Sequence, residues 1–150
     1  MTSPLVLVID DNADDAELTA RALRRCDVAN TVVIVHDGLD ALASLTGDEP
    51  GQAHGGALPS LVLLDVKMPR VDGFEIARRL RAHPRTRFLP IVLLTSSGEE
   101  RDIAEGYAAG VNGYVRKPIA SEQFVAALQA VGRFWLGCNE VPSQAAGPTP

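Results

Sequence analysis

The stretch VIDDNADDAEL, Val8 to Leu18, places five carboxylates between Asp10 and Glu17. Near neutral pH such a cluster repels itself unless a cation or a helix end lies among it. Its possible uses are a metal site, a capped helix start or a solvated turn. Other reactive residue types stand at the ends of apolar runs further along: Asp65 closes LVLLD, Thr95 closes LPIVLLT, and Lys117 follows GYVR. Asp10, Asp11 and Asp65 together make a hard oxygen set that suits Mg2+, which prefers octahedral oxygen ligands and keeps waters. A lysine opposite neutralises a phosphoryl group as a point charge, and a threonine hydroxyl can donate to a phosphoryl oxygen. A carboxylate is also a competent nucleophile for phosphoryl transfer, with metal and lysine offsetting charge on the equatorial oxygens.

An EF-hand-like calcium loop on the same opening stretch fails. Asp10, Asn12 and Asp14 fit its first three ligand positions, but Asp15 stands where glycine is required and Arg21 where the bidentate glutamate is required.

These residues act together only if the fold brings them together. Five short apolar runs recur: Leu5–Ile9, Val32–Val35, Leu61–Leu64, Ile91–Leu94 and Gly113–Val115. The first, third and fourth are continuous, as strands covered on both faces of a parallel sheet are. Helical stripes lie between them: Ala16, Leu18, Ala22 and Leu23; Leu39, Leu42 and Leu45; Phe74, Ile76, Ala77 and Leu80; Ile103, Ala104 and Tyr107. The fourth stops at Ala109-Gly110, a C-terminal glycine signal. A fifth runs from Ser121 to Leu136 with Phe124, Leu128, Val131 and Trp135 on one face. Strand and helix alternating five times predict a doubly wound α/β sheet with right-handed crossovers. In such sheets function gathers at the carboxyl ends of the strands, where Asp10, Asp11, Asp65, Thr95 and Lys117 would share one rim. The acids divide accordingly: Asp10 and Asp11 belong to the site, whereas Asp14, Asp15 and Glu17 start the first helix and take no metal role.

The remaining composition narrows the class. The chain of 150 residues has 19 acidic against 14 Lys and Arg residues, a formal charge of −5 and a pI near 5.1. That balance argues against a nucleic-acid binder. No signal-peptide core and no apolar run long enough to span a bilayer is seen, and Cys26 and Cys138 lack metal-like spacing, so a cytoplasmic location is expected. Residues 1–138 are read as one domain, Gly47–Pro59 as a surface loop and 139–150 as a loose tail.

Four segments, LVLVIDDNADDAEL, LVLLDVKMPRVDGFE, LPIVLLTSS and GYVRKPI, resemble the signatures of two-component response-regulator receiver domains, in family order and spacing from about Leu5 to Leu136. The resemblance implies a flavodoxin-like (βα)5 fold with strand order 2-1-3-4-5. It makes Asp65 the acceptor of a phosphoryl group from a histidine kinase, Asp11 a direct Mg2+ ligand, and Asp10 a helper through water or a hydrogen bond. The backbone carbonyl of Lys67 becomes a further ligand. Thr95 and Lys117 contact the phosphoryl group, Lys117-Pro118 is cis, and Tyr114 is the aromatic switch. Narrower features resemble the small regulators paired with bacterial phytochromes: the DDNADD opening, the long loop before the third strand, and FWL near the end. That likeness implies a stand-alone receiver with a bacteriophytochrome kinase as partner, dimerising through its last helix and C-terminal extension. Phe134, Trp135 and Leu136 cannot all face one sheet, which leaves apolar surface for that contact.

A cation at Lys67, two residues after the acceptor, departs from the subgroup's usual neutral side chain and predicts a longer-lived aspartyl phosphate. None of His36, His54 and His83 has the acid-flanked helical setting of a phosphodonor histidine. The alternative function is a Mg-dependent phosphatase or phosphotransferase with an aspartyl-phosphate intermediate. Such enzymes place the nucleophile at the end of the first strand and carry a cap domain, for which no chain remains here. A pseudo-receiver scaffold is disfavoured by the full set of Asp10, Asp11, Asp65, Thr95 and Lys117.

Overall fold

A run such as LVLLD can bury every side chain only when both faces of its sheet are covered, and the chain builds that arrangement. The computed structural model describes residues 3–47, 57–118 and 121–142. One parallel sheet contains β1 (Leu5–Ile9), β2 (Thr31–Val35), β3 (Leu61–Asp65), β4 (Ile91–Thr95) and β5 (Gly113–Arg116), in the order β2-β1-β3-β4-β5. The central strands β3 and β4 are buried throughout, while the edge strands β2 and β5 are only partly covered. The crossovers carry α1 (Ala13–Arg24), α2 (Gly38–Thr46), α3 (Gly73–Ala82) and α4 (Glu100–Ala108). After β5 come α5 (Glu122–Gly132) and a π-helical turn, Arg133–Cys138. The expected doubly wound fold and strand order are present.

Alternating strand residues feed two cores. Leu7, Ile9, Val62, Leu64 and Leu93 pack with Leu45, Phe74, Ile76 and Leu80 of α2 and α3. Val6, Val8, Leu61, Leu63 and Leu94 pack with Ala16 and Leu23 of α1 and Phe124 and Leu128 of α5. Each fully buried leucine contributes about 1.5–3 kcal/mol of transfer free energy. Asn12, Asp37, Asp72 and Ser121 cap α1, α2, α3 and α5, each side chain accepting a backbone N–H three residues on.

Register sets the level of the functional rim. Ile9 pairs with Leu64, so Asp10 and Asp65 stand at one height on neighbouring strands. Asp65 pairs with Leu94, and Thr95 with Arg116, so Thr95 and Lys117 follow one step beyond.

Three expectations need correction or restriction. In α1 Ala16, Ala22 and Leu23 are buried as expected, with Thr19 and Ala20 beside them; Leu18 is exposed because it faces the rim pocket rather than the core. In α4 the expected stripe does not form: Ala104 and Tyr107 are exposed, Ile103 is half-buried, and Gly106 is the buried residue. The helix lies over the sheet edge through that glycine, where a Cβ would meet Leu93 Cδ1 at 2.9 Å. Gly110 does end this segment, in the left-handed region at φ 98°. Most of the Gly47–Pro59 loop (48–56), His54 with it, and the end of the tail (143–150) lie outside the described residues.

Candidate functional site

The rim at the carboxyl ends of β1, β3, β4 and β5 holds a pocket of about 530 Å3, lined by Asp11, Asn12, Asp15, Asp65, Thr95 and Lys117 among others. Asp10 lies beneath it, 1% exposed. Its N–H donates to the Val35 carbonyl at 3.1 Å, and its Oδ1 accepts the Asn12 N–H at 3.0 Å. The two acids of the DD pair therefore differ: Asp10 is inside and fixed, Asp11 outside and facing the pocket.

Asp65 is the last residue of β3 and is buried. Its Oδ1 accepts the Val66 N–H at 3.0 Å. The turn behind it is closed by Gly73 N–H donating to the Val66 carbonyl at 2.8 Å. A Cβ on Gly73 would lie 2.4 Å from the Asp65 carbonyl oxygen, so the start of α3 can approach β3 only as glycine. Burial, and after it the Asp10 charge, push the Asp65 carboxyl up to about 6, against the opposing pull of Lys117.

Lys117 reaches into this group from beyond β5. Its N–H donates to the Thr95 carbonyl at 2.8 Å, and its peptide to Pro118 is cis, as the resemblance implies. Its Nζ lies 3.0 Å from Asp15 Oδ2, 3.3 Å from Asp10 Oδ2 and 3.5 Å from Asp65 Oδ1. Burial alone would lower its pKa, but the hydrogen bond to Asp15 and the charges of Asp65 and Asp10 outweigh it and raise the value. The ammonium is thus firmly protonated at the centre of an acidic ring.

Thr95 is 2% exposed, and its Oγ1 accepts the Ser97 N–H at 3.2 Å. Ser97 extends this contact: its hydroxyl donates to Asp102 Oδ2 of α4 at 2.6 Å, and its carbonyl accepts the Tyr114 hydroxyl at 2.8 Å. Thr95, the β4–α4 loop, α4 and Tyr114 therefore form one hydrogen-bonded chain. Ser97 Oγ also accepts the Glu99 N–H at 3.2 Å, just before α4, whose N-cap residue Glu99 makes no side-chain capping bond.

Carboxylate oxygens of Asp10, Asp11 and Asp65 all lie within 4.8 Å of one another. This hard, anionic set with one exposed member fits a divalent cation that keeps part of its water shell. Lys67 lines the same pocket, and its ammonium makes no ion pair or hydrogen bond among the described residues.

The structure thus brings together Asp10, Asp11, Asp65, Thr95, Lys117 and Lys67, with Tyr114 one loop away. It adds Asp15, which the sequence reading had confined to the helix start, and Asn12, which joins Asp10 to Asp15 by capping α1. A signal was available: helical Cα–Cβ bonds tilt toward the N-terminus, so a first-turn side chain of α1 leans back over the strand ends.

Comparison with known proteins agrees with this geometry. The family model described as the response regulator receiver domain matches residues 6–129. The probable methanogenesis regulatory protein FilR2 of Methanothrix harundinacea is 34% identical over 94% of this chain and 89% of its own. Response regulator Rcp1 of Synechocystis sp. is 29% identical over 93% of each chain, and its Mn2+-bound form superposes with a TM-score of 0.81. The phosphorylated cyanobacterial phytochrome response regulator RcpA is 32% identical, with a TM-score of 0.84 over 95% of this chain and all of that one.

Proposed function

The chain belongs to the response-regulator receiver family, a family of signalling proteins, and from that premise we propose that it accepts a phosphoryl group from a histidine kinase onto Asp65. One observation carries the proposal. The buried Asp65 carboxylate has Lys117 Nζ 3.5 Å away and lies with the carboxylate oxygens of Asp10 and Asp11 in a group within 4.8 Å of one another.

The ionised Asp65 carboxylate forms a bond to phosphorus while the bond from phosphorus to the donor imidazole nitrogen breaks, its electron pair leaving with the nitrogen. Lys117 offsets charge on the phosphoryl oxygens, and the Thr95 hydroxyl donates to one of them. Asp10, Asp11, Asp65 and the Lys67 carbonyl would hold Mg2+, whose part is to neutralise the carboxylates and the developing phosphoryl charge. Once the Thr95 hydroxyl turns to the phosphoryl group, Ser97 N–H loses its acceptor. That change passes to Asp102 in α4 and to Tyr114 through the remaining Ser97 bonds. The result is a population shift of the α4–β5 face between two packings.

Two finer readings belong with this one. The similarity to phytochrome and bacteriophytochrome response regulators favours a light-sensing kinase as the donor. The half-exposed Phe134 beside the partly buried Trp135 favours a homodimer through the C-terminal helical segment.

The test is labelling of wild type and Asp65→Asn by a phosphohistidine kinase and by phosphoramidate, with and without Mg2+. One Mg2+-dependent phosphoryl group per chain, lost in Asp65→Asn, is the expected result. Labelling that survives Asp65→Asn defeats the assignment, and sustained turnover of free phosphomonoesters would favour the phosphatase alternative.

A further inference from the structure

Asp15 is the residue of the acidic ring that neither the acceptor chemistry nor the cation requires. It is not among the three carboxylates whose oxygens converge within 4.8 Å. Yet of the three acids around Lys117 it is the nearest, with Oδ2 3.0 Å from Nζ. Its own position is set from both sides. Its backbone N–H donates to the Asn12 side chain at 2.9 Å, and the Asn12 N–H in turn holds Asp10 Oδ1 at 3.0 Å. Asn12 therefore spaces Asp10 and Asp15 as a rigid pair, and Lys117 bridges them with hydrogen bonds of 3.3 and 3.0 Å.

An ammonium has three N–H groups on a flexible four-carbon stem. Two of them are taken here by Asp10 and Asp15, and the third side of Nζ lies toward Asp65 at 3.5 Å. That is the side on which a phosphoryl group on Asp65 would stand. A divalent cation shared by Asp10, Asp11 and Asp65 draws on two of the lysine's three carboxylate partners, whereas Asp15 is left to the lysine alone.

We propose that Asp15 is a positioning residue for phosphoryl transfer, holding the Lys117 ammonium so that its remaining N–H is presented to the phosphoryl group on Asp65. The inference rests on the reading of Asp65 as acceptor. Asp15 contacts neither phosphoryl group nor metal, and it acts through Lys117. Losing a preorganised donor orientation slows the reaction without changing which groups react.

Full-length Asp15→Ala, Asp15→Asn, Lys117→Ala and the double Asp15→Ala/Lys117→Ala chains separate the possibilities. With phosphoramidate and saturating Mg2+, Asp15→Ala is expected to take phosphate about tenfold more slowly than wild type. Asp15→Asn, which keeps an acceptor oxygen, should recover part of the loss. In the Lys117→Ala background removing Asp15 should change the rate by less than about twofold. Mg2+ affinity measured by calorimetry on the unphosphorylated chains should move little in Asp15→Ala. A second readout needs no phosphoryl transfer. The hydrogen-bonded Lys117 ammonium should give a slow-exchanging 15N–1H signal in wild type that disappears in Asp15→Ala.

An unchanged or faster rate in Asp15→Ala, an equal loss in the Lys117→Ala background, or an ammonium signal that persists in Asp15→Ala overturns the inference. Where wild type itself takes no phosphate, the acceptor reading falls, and the ammonium signal still decides whether Asp15 holds the lysine.

Discussion

A buried carboxylate beside a second one opposes folding whenever it is ionised, and Asp65 beside Asp10 is in that position. Its folded pKa of about 6 lies above the ordinary 3.8, so the native chain binds the extra proton between those values. Stability therefore falls as pH rises through that window: the penalty is absent below about pH 4 and complete above about pH 6. At about 1.4 kcal/mol per unit it amounts to roughly 2–3 kcal/mol. Urea unfolding of Asp65→Asn without divalent cation should accordingly show a gain of roughly 1–3 kcal/mol over wild type at pH 7.5, vanishing near pH 4. An advantage of the same size at both pH values would mean that burial and repulsion are not its source. Lys67 supplies the second test at this scale. Its ammonium lines the pocket without a partner among the described residues, free to hold a phosphoryl oxygen. Replacing it in Lys67→Asn should speed loss of phosphate from Asp65 by roughly 3–10-fold, read by following the decay of labelled chain after donor removal. An unchanged decay rate defeats the role given to it.

Between elements, close approaches that glycine permits set how the helices sit. Gly132 at the end of α5 faces the turn that follows α1, where a Cβ would lie 2.8 Å from Cys26 Sγ. The Gly132→Ala chain should therefore lose roughly 1–3 kcal/mol in denaturant unfolding, the usual size of an overpacked contact. Combining it with Cys26→Ala should restore most of the loss, because the thiol is the atom in the way. Failure of the pair to recover would place the cost in the backbone instead. Gly106 does the same for α4, bringing it within reach of Leu93 and the Tyr114 ring. These contacts explain where the sequence was legible. The strands β1, β3 and β4 were readable because continuous apolar runs have one use in a sheet covered on both sides. Helix α3 was readable because Phe74, Ile76, Ala77 and Leu80 are all buried. Helix α4 misled because its inward residue is a glycine, which carries no hydrophobic signal, while Tyr107 on its outer face does. The rim residues were found because each stands at or just past the end of a strand. Asp15 was missed because its partner, Lys117, lies 102 positions away, a pairing that no local pattern records.

For the whole molecule the open question is how its outer surface meets another chain, and the C-terminal segment is where sequence and structure diverge in an informative way. Three consecutive helical residues, Phe134, Trp135 and Leu136, cannot all face one sheet. In the fold it divides: Trp135 and Leu136 pack against the core formed by α1, α5 and the sheet, whereas Phe134 is 50% exposed. The Phe134 ring meets that of Trp135 edge-on at 4.9 Å, so the partly buried tryptophan braces the exposed phenylalanine. Trp135→Ala is therefore a poor probe of assembly, since it removes core packing and should lower stability by roughly 1–3 kcal/mol whatever the oligomeric state. Phe134→Ser is the discriminating change. A surface residue contributes little to the fold of its own chain, so unfolding measured at low protein concentration should move by less than about 0.5 kcal/mol. If the homodimer uses this segment, sedimentation of Phe134→Ser should show a dimer dissociating at least tenfold more readily than wild type, the effect of losing about 1.4 kcal/mol from the dimer as a whole. Equal dissociation constants for wild type and Phe134→Ser would remove this face from the assembly and leave Phe134 as an isolated exposed side chain, which folded surfaces carry commonly.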